Sequence, residues 1–385
     1  MPPGLVEPTA CMFPARPCPW KRRFTNTRWS SGSAGHSRGR LARSPADPRW
    51  FHLACGLINS RAGHPGTSSG IGFKADEVAV AELPMATNLD LAQLFPLCPP
   101  LPLPEGETEE SIRAFLETVR VEPGPREELA NYCRSDLRRF LYTYGLVRGL
   151  SGRGLELGAN PYFTTMLLRR FTVLEFTLAN YFTSQSSKTI VQTVVFEDPD
   201  SGEEERLELP SHHFNIEEEQ FPFQDGSFDV VLCCEIIEHL LRDPLAVLLE
   251  IKRVLRAGGA LVLTTPNVNR IENVARMIAG ANIYDPYSGY GPYGRHNREY
   301  NRRELGLLLE YAGFEIDRLD SADVHPNEAL VHFPRPEFLL TLLRSRQTDL
   351  GQYLLARAFN TRPARTRKPT FLFRSYPSEQ LEEVT

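Results

Sequence analysis

From residue 107 onward the chain alternates between helical and extended hydrophobic periods. In ETEESIRAFLETVR, Ile112, Phe115, Leu116 and Val119 recur on one helical face, with acids in the first turn. PREELANYCRSDLRRFLYTYGLV predicts a longer helix entered through Pro125, carrying Leu129, Tyr132, Leu137, Phe140, Leu141 and Tyr144. GLELG predicts a short buried strand, PYFTTMLLRRF a helix started by Pro161, and FTVLEFTL a second strand. KTIVQTVVFEDPDSGEEERLEL has the form of a hairpin, with HHFNIE as a separate third strand. FDVVLCCE is almost wholly apolar, as a doubly covered parallel strand should be. DPLAVLLEIKRVLRAGG predicts a helix capped by Asp243, started by Pro244 and ended by Gly258. ALVLTTPN then supplies strand five, RRELGLLLEYAGF a helix, and EIDRL and TFLFRSY further extended segments. The alternation calls for an α/β fold: a doubly wound, Rossmann-like, mostly parallel open sheet with helices on both faces. Such sheets bind ligands beyond the carboxyl ends of their strands, at the switch point after strand one.

Residues 1–84 follow neither period, and the first 75 are rich in Pro, Gly, Ser and Arg with Glu7 and Asp47 as their only acids. They are expected to be a disordered or non-native N-terminal extension, translated upstream of a natural start at Met85, with a transit peptide as a third reading. Residues 85–150 form an N-terminal helical segment and 151–385 the main domain. Across all 385 residues, 41% hydrophobic and 24% charged content is that of a globular protein, and a net charge of -5 gives no global attraction to nucleic acid or anionic membrane. Seven cysteines without a C-x-x-C argue against a disulfide framework or zinc knuckle, so a reduced, cytoplasmic chain is expected. No apolar run approaches the roughly 20 residues that a spanning helix needs.

The chemistry begins at LELGANPYF. Gly158 stands where the chain must bend, and a side chain there would hold a ligand off the backbone. A dinucleotide fingerprint wants further glycines, and the chain has Asn160, Pro161 and Tyr162 instead. Asn160 and Tyr162 would crowd a diphosphate and Pro161 removes an amide donor, which disfavours NAD. A cofactor lacking phosphates, such as S-adenosylmethionine, tolerates these residues better.

The order LELGANP, FNIEEEQFPFQDGSFDVVLCCEIIEHL, IKRVLRAGGALVLTTPN and ELGLLLEYAGF resembles the class I S-adenosylmethionine-dependent methyltransferases, in the type 11/23-like group that contains E-x-x-E-H. The resemblance runs from about residue 150 to 320 and implies a seven-stranded sheet with an antiparallel last strand, for which TFLFRSY is the candidate. It also implies cofactor contacts. Glu156, Gly158 and Asn160 would line the methionine end. Either Glu175 or Asn180 would take the place of the acid that grips the ribose. Asn215, Ile216 and Glu217 fall where the family holds adenine, and Cys234 and Glu235 beside the transferable methyl. Phe221, Phe223 and Phe228 are expected in the core.

EIIEH places Glu235, Glu238 and His239 within one turn, a spacing that shares a helical face and could hold a divalent cation. Oxygen-rich ligation with one histidine suits Mg, Mn or Fe better than zinc, and Mg or Mn is the cation expected. With His296 further on in YGPYGRHNREYNRREL, the element resembles the metal-dependent small-RNA 2'-O-methyltransferases; E-x-x-E-H alone resembles the ubiquinone-pathway O-methyltransferases. The competing reading has His239 hydrogen-bonded to backbone and merely orienting the loop. His296 is also a candidate general base toward a hydroxyl. The tyrosine- and arginine-rich loop around it suits stacking on sugars or bases. The expected function is therefore O-methyl transfer to a small molecule or glycan unit, with His296 and Glu235 as catalytic candidates. RNA ribose methylation and a non-catalytic partner that keeps the fold are the alternatives. Against RNA, the core shows no basic stripe. The sequence leaves the oligomeric state open.

Overall fold

The computed structural model describes residues 98–182, 185–289, 291–332 and 343–384. The expected N-terminal extension, the start at Met85 and Tyr290 lie outside these residues. Among the described residues, no helix is long and apolar enough to cross a membrane.

Helix α1 (Glu109–Thr118) starts at Thr108, whose side chain accepts from Ser111 N while Ser111 reciprocates, and it buries Ile112, Phe115 and Leu116. Strand β1 (Arg120–Glu122) separates it from α2 (Arg126–Val147), so the N-terminal segment is not purely helical. Then come β2 (Ser151–Leu157), α3 (Phe163–Phe171), β3 (Val173–Asn180), β4 (Thr189–Glu197), β5 (Glu204–His213), β6 (Phe228–Cys234), α4 (Pro244–Val254), β7 (Leu255–Pro266), α5 (Ile271–Ile278), α6 (Arg302–Tyr311), β8 (Glu315–Ala322), α7 (Ala329–His332) and β9 (Tyr353–Phe359). The sheet order is β1-β4-β5-β3-β2-β6-β7-β9-β8. β5, β3, β2, β6 and β7 run parallel, and β9 lies antiparallel between β7 and β8. A seven-stranded, mostly parallel sheet with an antiparallel last strand is present, and β4 and β1 extend one edge antiparallel.

Alternation along the central strands divides the core in two. Val230 and Leu232 of β6 and Val262 of β7 pack with α1, α2 and α3, whereas Val231, Cys233, Leu261 and Leu263 pack with α4 and α6 on the opposite face. Phe221, Phe223 and Phe228 belong to this second core.

Four segments differ from the sequence reading. HHFNIE is not a separate strand: the second arm of the hairpin, β5, runs on to His213 and itself pairs with β3. α3 begins at Phe163 rather than Pro161, after Tyr162 in the left-handed conformation. α4 is capped by Asp243, which accepts from Ala246 N, but it ends at Val254. Gly258 supplies a positive φ of +71° within the first residues of β7, beside the register shift against β6, rather than a helix stop. The antiparallel strand next to β7 is β9, YLLARAF, and not TFLFRSY, which forms turns and anchors Phe373 in the second core. The sequence reading also passed over α5.

Asn267, fully buried just past β7, fastens the returning chain. Its Nδ2 donates to the carbonyls of Asp349 (2.7 Å) and Gly351 (2.8 Å), and its Oδ1 accepts from Asn269 N (3.0 Å). Asn267→Ala would orphan these buried groups and should destabilise the fold by about 2–3 kcal/mol, at ~1–3 kcal/mol per unsatisfied group with partial relaxation. Urea unfolding of the two proteins measures the difference.

Candidate active site

β2 ends in Glu156 and Leu157 and delivers Gly158 to the switch point. Gly158 has φ +64°, and a Cβ there would stand 3.2 Å from Ile236 Cδ1. The turn is sewn to the end of β3: Gly158 N and Ala159 N both donate to Ala179 O (2.8 and 3.3 Å), and Asn160 N donates to Asn180 Oδ1 (2.9 Å). Tyr162 turns inward and is fully buried. Its hydroxyl donates to Gln192 Oε1 of β4 (2.7 Å) and accepts from Asn180 Nδ2 (3.1 Å), while Asn160 Nδ2 also reaches Gln192 Oε1 (3.3 Å). The residues that replace the dinucleotide glycines are thus joined to the far strands of the sheet. Glu156 accepts from Thr165 Oγ1 of α3 (2.6 Å), and burial pushes its carboxyl up to about 8 despite that bond.

Between the two ribose candidates the geometry is unequal. Glu175 lies mid-strand on an exposed position, five residues before the end of β3. Asn180 occupies that end and contacts the turn. Glu175 is therefore removed from the switch point, because β3 runs on through Asn180. Beyond β5, Asn215 is buried, its Oδ1 accepts from Glu217 N (2.9 Å), and its Nδ2 has no partner. Ile216 packs against the second core. Glu217 does other work. Its carboxylate accepts from the amides of Leu241 (3.1 Å) and Arg242 (2.9 Å) and from Tyr293 Oη (2.8 Å), so it closes the loop before α4 instead of facing a cofactor.

At the end of β6, Cys234 is pushed up to about 12 by burial. Glu235 follows with φ +55°, and EIIEH continues not as an α-helix but as a single 3-10 turn, Ile237–His239. Two adjacent residues of β7 hold the two acids: Thr264 Oγ1 donates to Glu235 Oε1 (2.7 Å) and Thr265 Oγ1 to Glu238 Oε2 (2.9 Å). Neighbours on a strand point to opposite faces, so Glu235 and Glu238 are parted by the sheet edge. Burial raises both carboxyls; each is further influenced by charge, Glu235 by Glu238 and Glu238, in the opposite sense, by His296.

His296 reaches this turn because its loop docks there: Asn297 N donates to Glu238 O (2.8 Å) and Asn297 Nδ2 to His239 O (3.0 Å). Glu238, His239 and His296 bring ligand atoms within 4.8 Å of one another, and Asp285, His296 and Glu299 form a second such group. Glu235 belongs to neither, so the four ligands read from the sequence become three, the left-handed residue having turned the fourth away. His239 Nδ1 bonds Arg295 O (2.9 Å), as the competing reading held; since a carbonyl only accepts, Nδ1 carries the proton and Nε2 faces Glu238 Oε1 at 3.7 Å. Burial, followed by the charge of His296, pushes His239 down to about 4, so it is neutral and this contact is no ion pair. His296 behaves oppositely. Burial alone would lower it, but Glu299, Glu238 and Asp285 lift it to about 9.

Sequence reasoning missed Arg139 as well as the two threonines. Arg139, 4% exposed on α2, donates to Asp136 Oδ1 (2.9 Å) and Tyr132 Oη (2.5 Å), and its charge acts on Cys234 and Glu235. A basic residue on the apolar face of a helix was the available signal.

A doubly wound sheet with a glycine turn at its switch point, and Glu235 beyond the neighbouring β6, is the architecture of a cofactor-binding α/β domain. Residues 126–319, just over half of the chain, match the family described as "Methyltransferase domain", and the chain belongs to that family of S-adenosylmethionine-dependent enzymes. A protein described as a probable S-adenosylmethionine-dependent methyltransferase from Mycolicibacterium smegmatis is 37% identical over 105 residues, 27% of this chain and 35% of that one. The ubiquinone biosynthesis O-methyltransferase of Pseudomonas aeruginosa is 32% identical over 103 residues, 26% of this chain and 42% of that one. The matched stretch thus spans less than half of either relative. Among solved structures, a SAM-dependent methyltransferase from Archaeoglobus fulgidus aligns with a TM-score of 0.36 at 16% identity, covering 60% of this chain and 93% of that one.

Two outcomes are expected in calorimetric titration with S-adenosylmethionine. Gly158→Val forces a branched residue into left-handed backbone, at about 1–3 kcal/mol of strain, and should weaken binding at least tenfold. Glu156 holds its proton in the free protein below about 8, and a cationic methionine end beside it would favour the carboxylate. Binding between pH 6 and 7.5 should then release a proton, seen as a dependence of the heat on buffer ionisation enthalpy, and Glu156→Gln should remove that dependence.

Proposed function

We propose that this chain transfers a methyl group from S-adenosylmethionine to an oxygen of a hydroxylated acceptor, a small molecule or a glycan unit, with help from a divalent cation. The observation that carries the reading is Glu238. Its carboxylate is fully buried, and its Oε1 has no hydrogen-bond partner. An unpaired buried carboxylate is penalised by several kcal/mol, so the site suits a positive charge. Nε2 of neutral His239 lies 3.7 Å from that oxygen, with His296 alongside. One carboxylate and two imidazoles can hold a divalent cation, and with Glu235 turned away the set suits Mn better than Mg. A cation held there would supply positive charge for orienting acceptor oxygens.

S-adenosylmethionine supplies a methyl group already activated on a sulfonium. What the chain must contribute is alignment and a place for the hydroxyl proton. The turn at Gly158 and Asn160 admits the methionine end, Asn180 stands at the ribose position, and Asn215 offers its free buried Nδ2 near the adenine position. Glu235, its carboxyl raised by burial and steadied by Thr264, sits beside Cys234 at the methyl end, where a base of raised basicity can take the proton. For a sugar-like acceptor, the loop before His296 exposes the faces of Tyr284 and Tyr287, the latter stacked under Arg295 at 4.7 Å. The buried Tyr293 and Tyr300 brace the loop instead. The O-methyltransferase name of the Pseudomonas relative agrees in reaction type.

Methyl transfer assayed on a panel of hydroxylated acceptors should be abolished by a chelator and restored by Mg or Mn. Transfer untouched by chelation would remove the cation from the mechanism. Cofactor binding without transfer to any acceptor would put the non-catalytic reading first.

A further inference from the structure

His296 is gripped from behind. Its Nδ1 bonds Glu299 Oε1 at 2.9 Å, and its backbone N donates to Asp285 Oδ2 at 3.0 Å. The other oxygen of Glu299 accepts from Arg270 Nη1 at 2.5 Å, and the same nitrogen donates to the carbonyl of Asn267 at 3.0 Å. The side chains of Glu299 and Arg270 are 9% and 17% exposed. A chain of contacts therefore runs from the buried Asn267, at the end of β7, through Arg270 and Glu299 to the imidazole. A carboxylate only accepts, so Nδ1 carries a hydrogen in either protonation state of the ring, and Nε2, which gives up its proton when a cation binds, is the nitrogen left to act.

We propose that Glu299 and Arg270 are positioning residues: Glu299 fixes the tautomer and orientation of His296, so that Nε2 serves the Glu238–His239 cluster, and Arg270 fixes Glu299. This rests on the cation reading above. Imidazole ligands commonly need such a carboxylate on their other nitrogen, and its loss typically weakens metal binding 10- to 100-fold. Arg270 does two things at once, since it balances the buried charge of Glu299 and, through Nη1 held by the carbonyl of Asn267, sets the direction of the carboxylate. The competing explanation is an ion pair that merely ties the loop to the start of α5.

The test is Mn binding to the full chain, followed by loss of the free-ion signal in electron paramagnetic resonance. The parent is compared with Glu299→Gln, Arg270→Lys and His296→Ala, and thermal melting shows which variants are folded. Glu299→Gln should bind 10- to 100-fold more weakly than the parent, approaching His296→Ala. Arg270→Lys keeps the charge but loses the guanidinium that places Nη1 between Asn267 O and Glu299, and it should weaken binding with little change in melting, which keeps the idea testable if Glu299→Gln does not fold. Parent-like affinity in folded Glu299→Gln or Arg270→Lys, with binding lost in His296→Ala, would overturn the positioning role alone. No Mn binding by the parent, or binding indifferent to His296→Ala, would sink the cation reading. The positioning claim is then decided by nitrogen-15 spectra of the His296 ring: a protected Nδ1–H lost in either variant supports it, and an unchanged ring overturns it.

Discussion

Two consecutive threonines at the end of β7 govern the chemistry of this domain. Because a strand sends neighbouring side chains to opposite faces, Thr264 and Thr265 cannot serve the same acid, and they hold Glu235 and Glu238 apart. One carboxylate stays with Cys234 and the charge of Arg139 under α2, while the other joins the histidines on the side of the docked loop. A hydrogen bond of this kind is worth about 0.5–1.5 kcal/mol, enough to bias which way each acid points. The left-handed backbone at Glu235 is the local price of that separation.

The site is set largely by desolvation. Glu156, Glu235 and Glu238 are all shifted upward, with burial the leading cause each time, whereas Glu299 is held down to about 2 by His296 and Arg270 although burial opposes this. Carboxyls at one sheet edge thus fall into two kinds: three that burial shifts upward, and one already paired inside the protein. The neutral His239 beside the charged His296 shows the same division.

Much of the fold was legible because its strands are continuous apolar runs and its helices carry a clean period, with first-turn acids or Asp243 and Pro244 at their starts. Misreadings arose where one residue type serves two geometries. A glycine after an amphipathic run can end a helix or bend a strand, and Gly258 does the latter. YLLARAF and TFLFRSY have similar β character, and only pairing with β7 and β8 selects the first. At the site, the turn itself was legible because Glu156, Gly158 and Asn160 are nearly contiguous, and Asn180 because it ends the next strand. Glu217 was misassigned because an acid after a strand looks the same whether it faces a ligand or caps the next loop. The facing of Glu235 was hidden because spacing on a helix does not apply once the backbone turns left-handed. Thr264, Arg139 and Gln192 act across long sequence separations, where no local pattern points to them.

The inward Tyr162 has a consequence for how the cofactor turn behaves. Loops at switch points are ordinarily held by their own strand and helix alone. Here the phenol spans the sheet to Gln192 on β4, two strands beyond β3, with Asn180 bracing it on the way. Strand β4, an addition to the basic sheet, acts as a remote strut for the turn. Much of the ordering that a ligand would otherwise have to impose is therefore already built into the empty protein, and affinity at this site can draw on rigidity in place of the missing glycines.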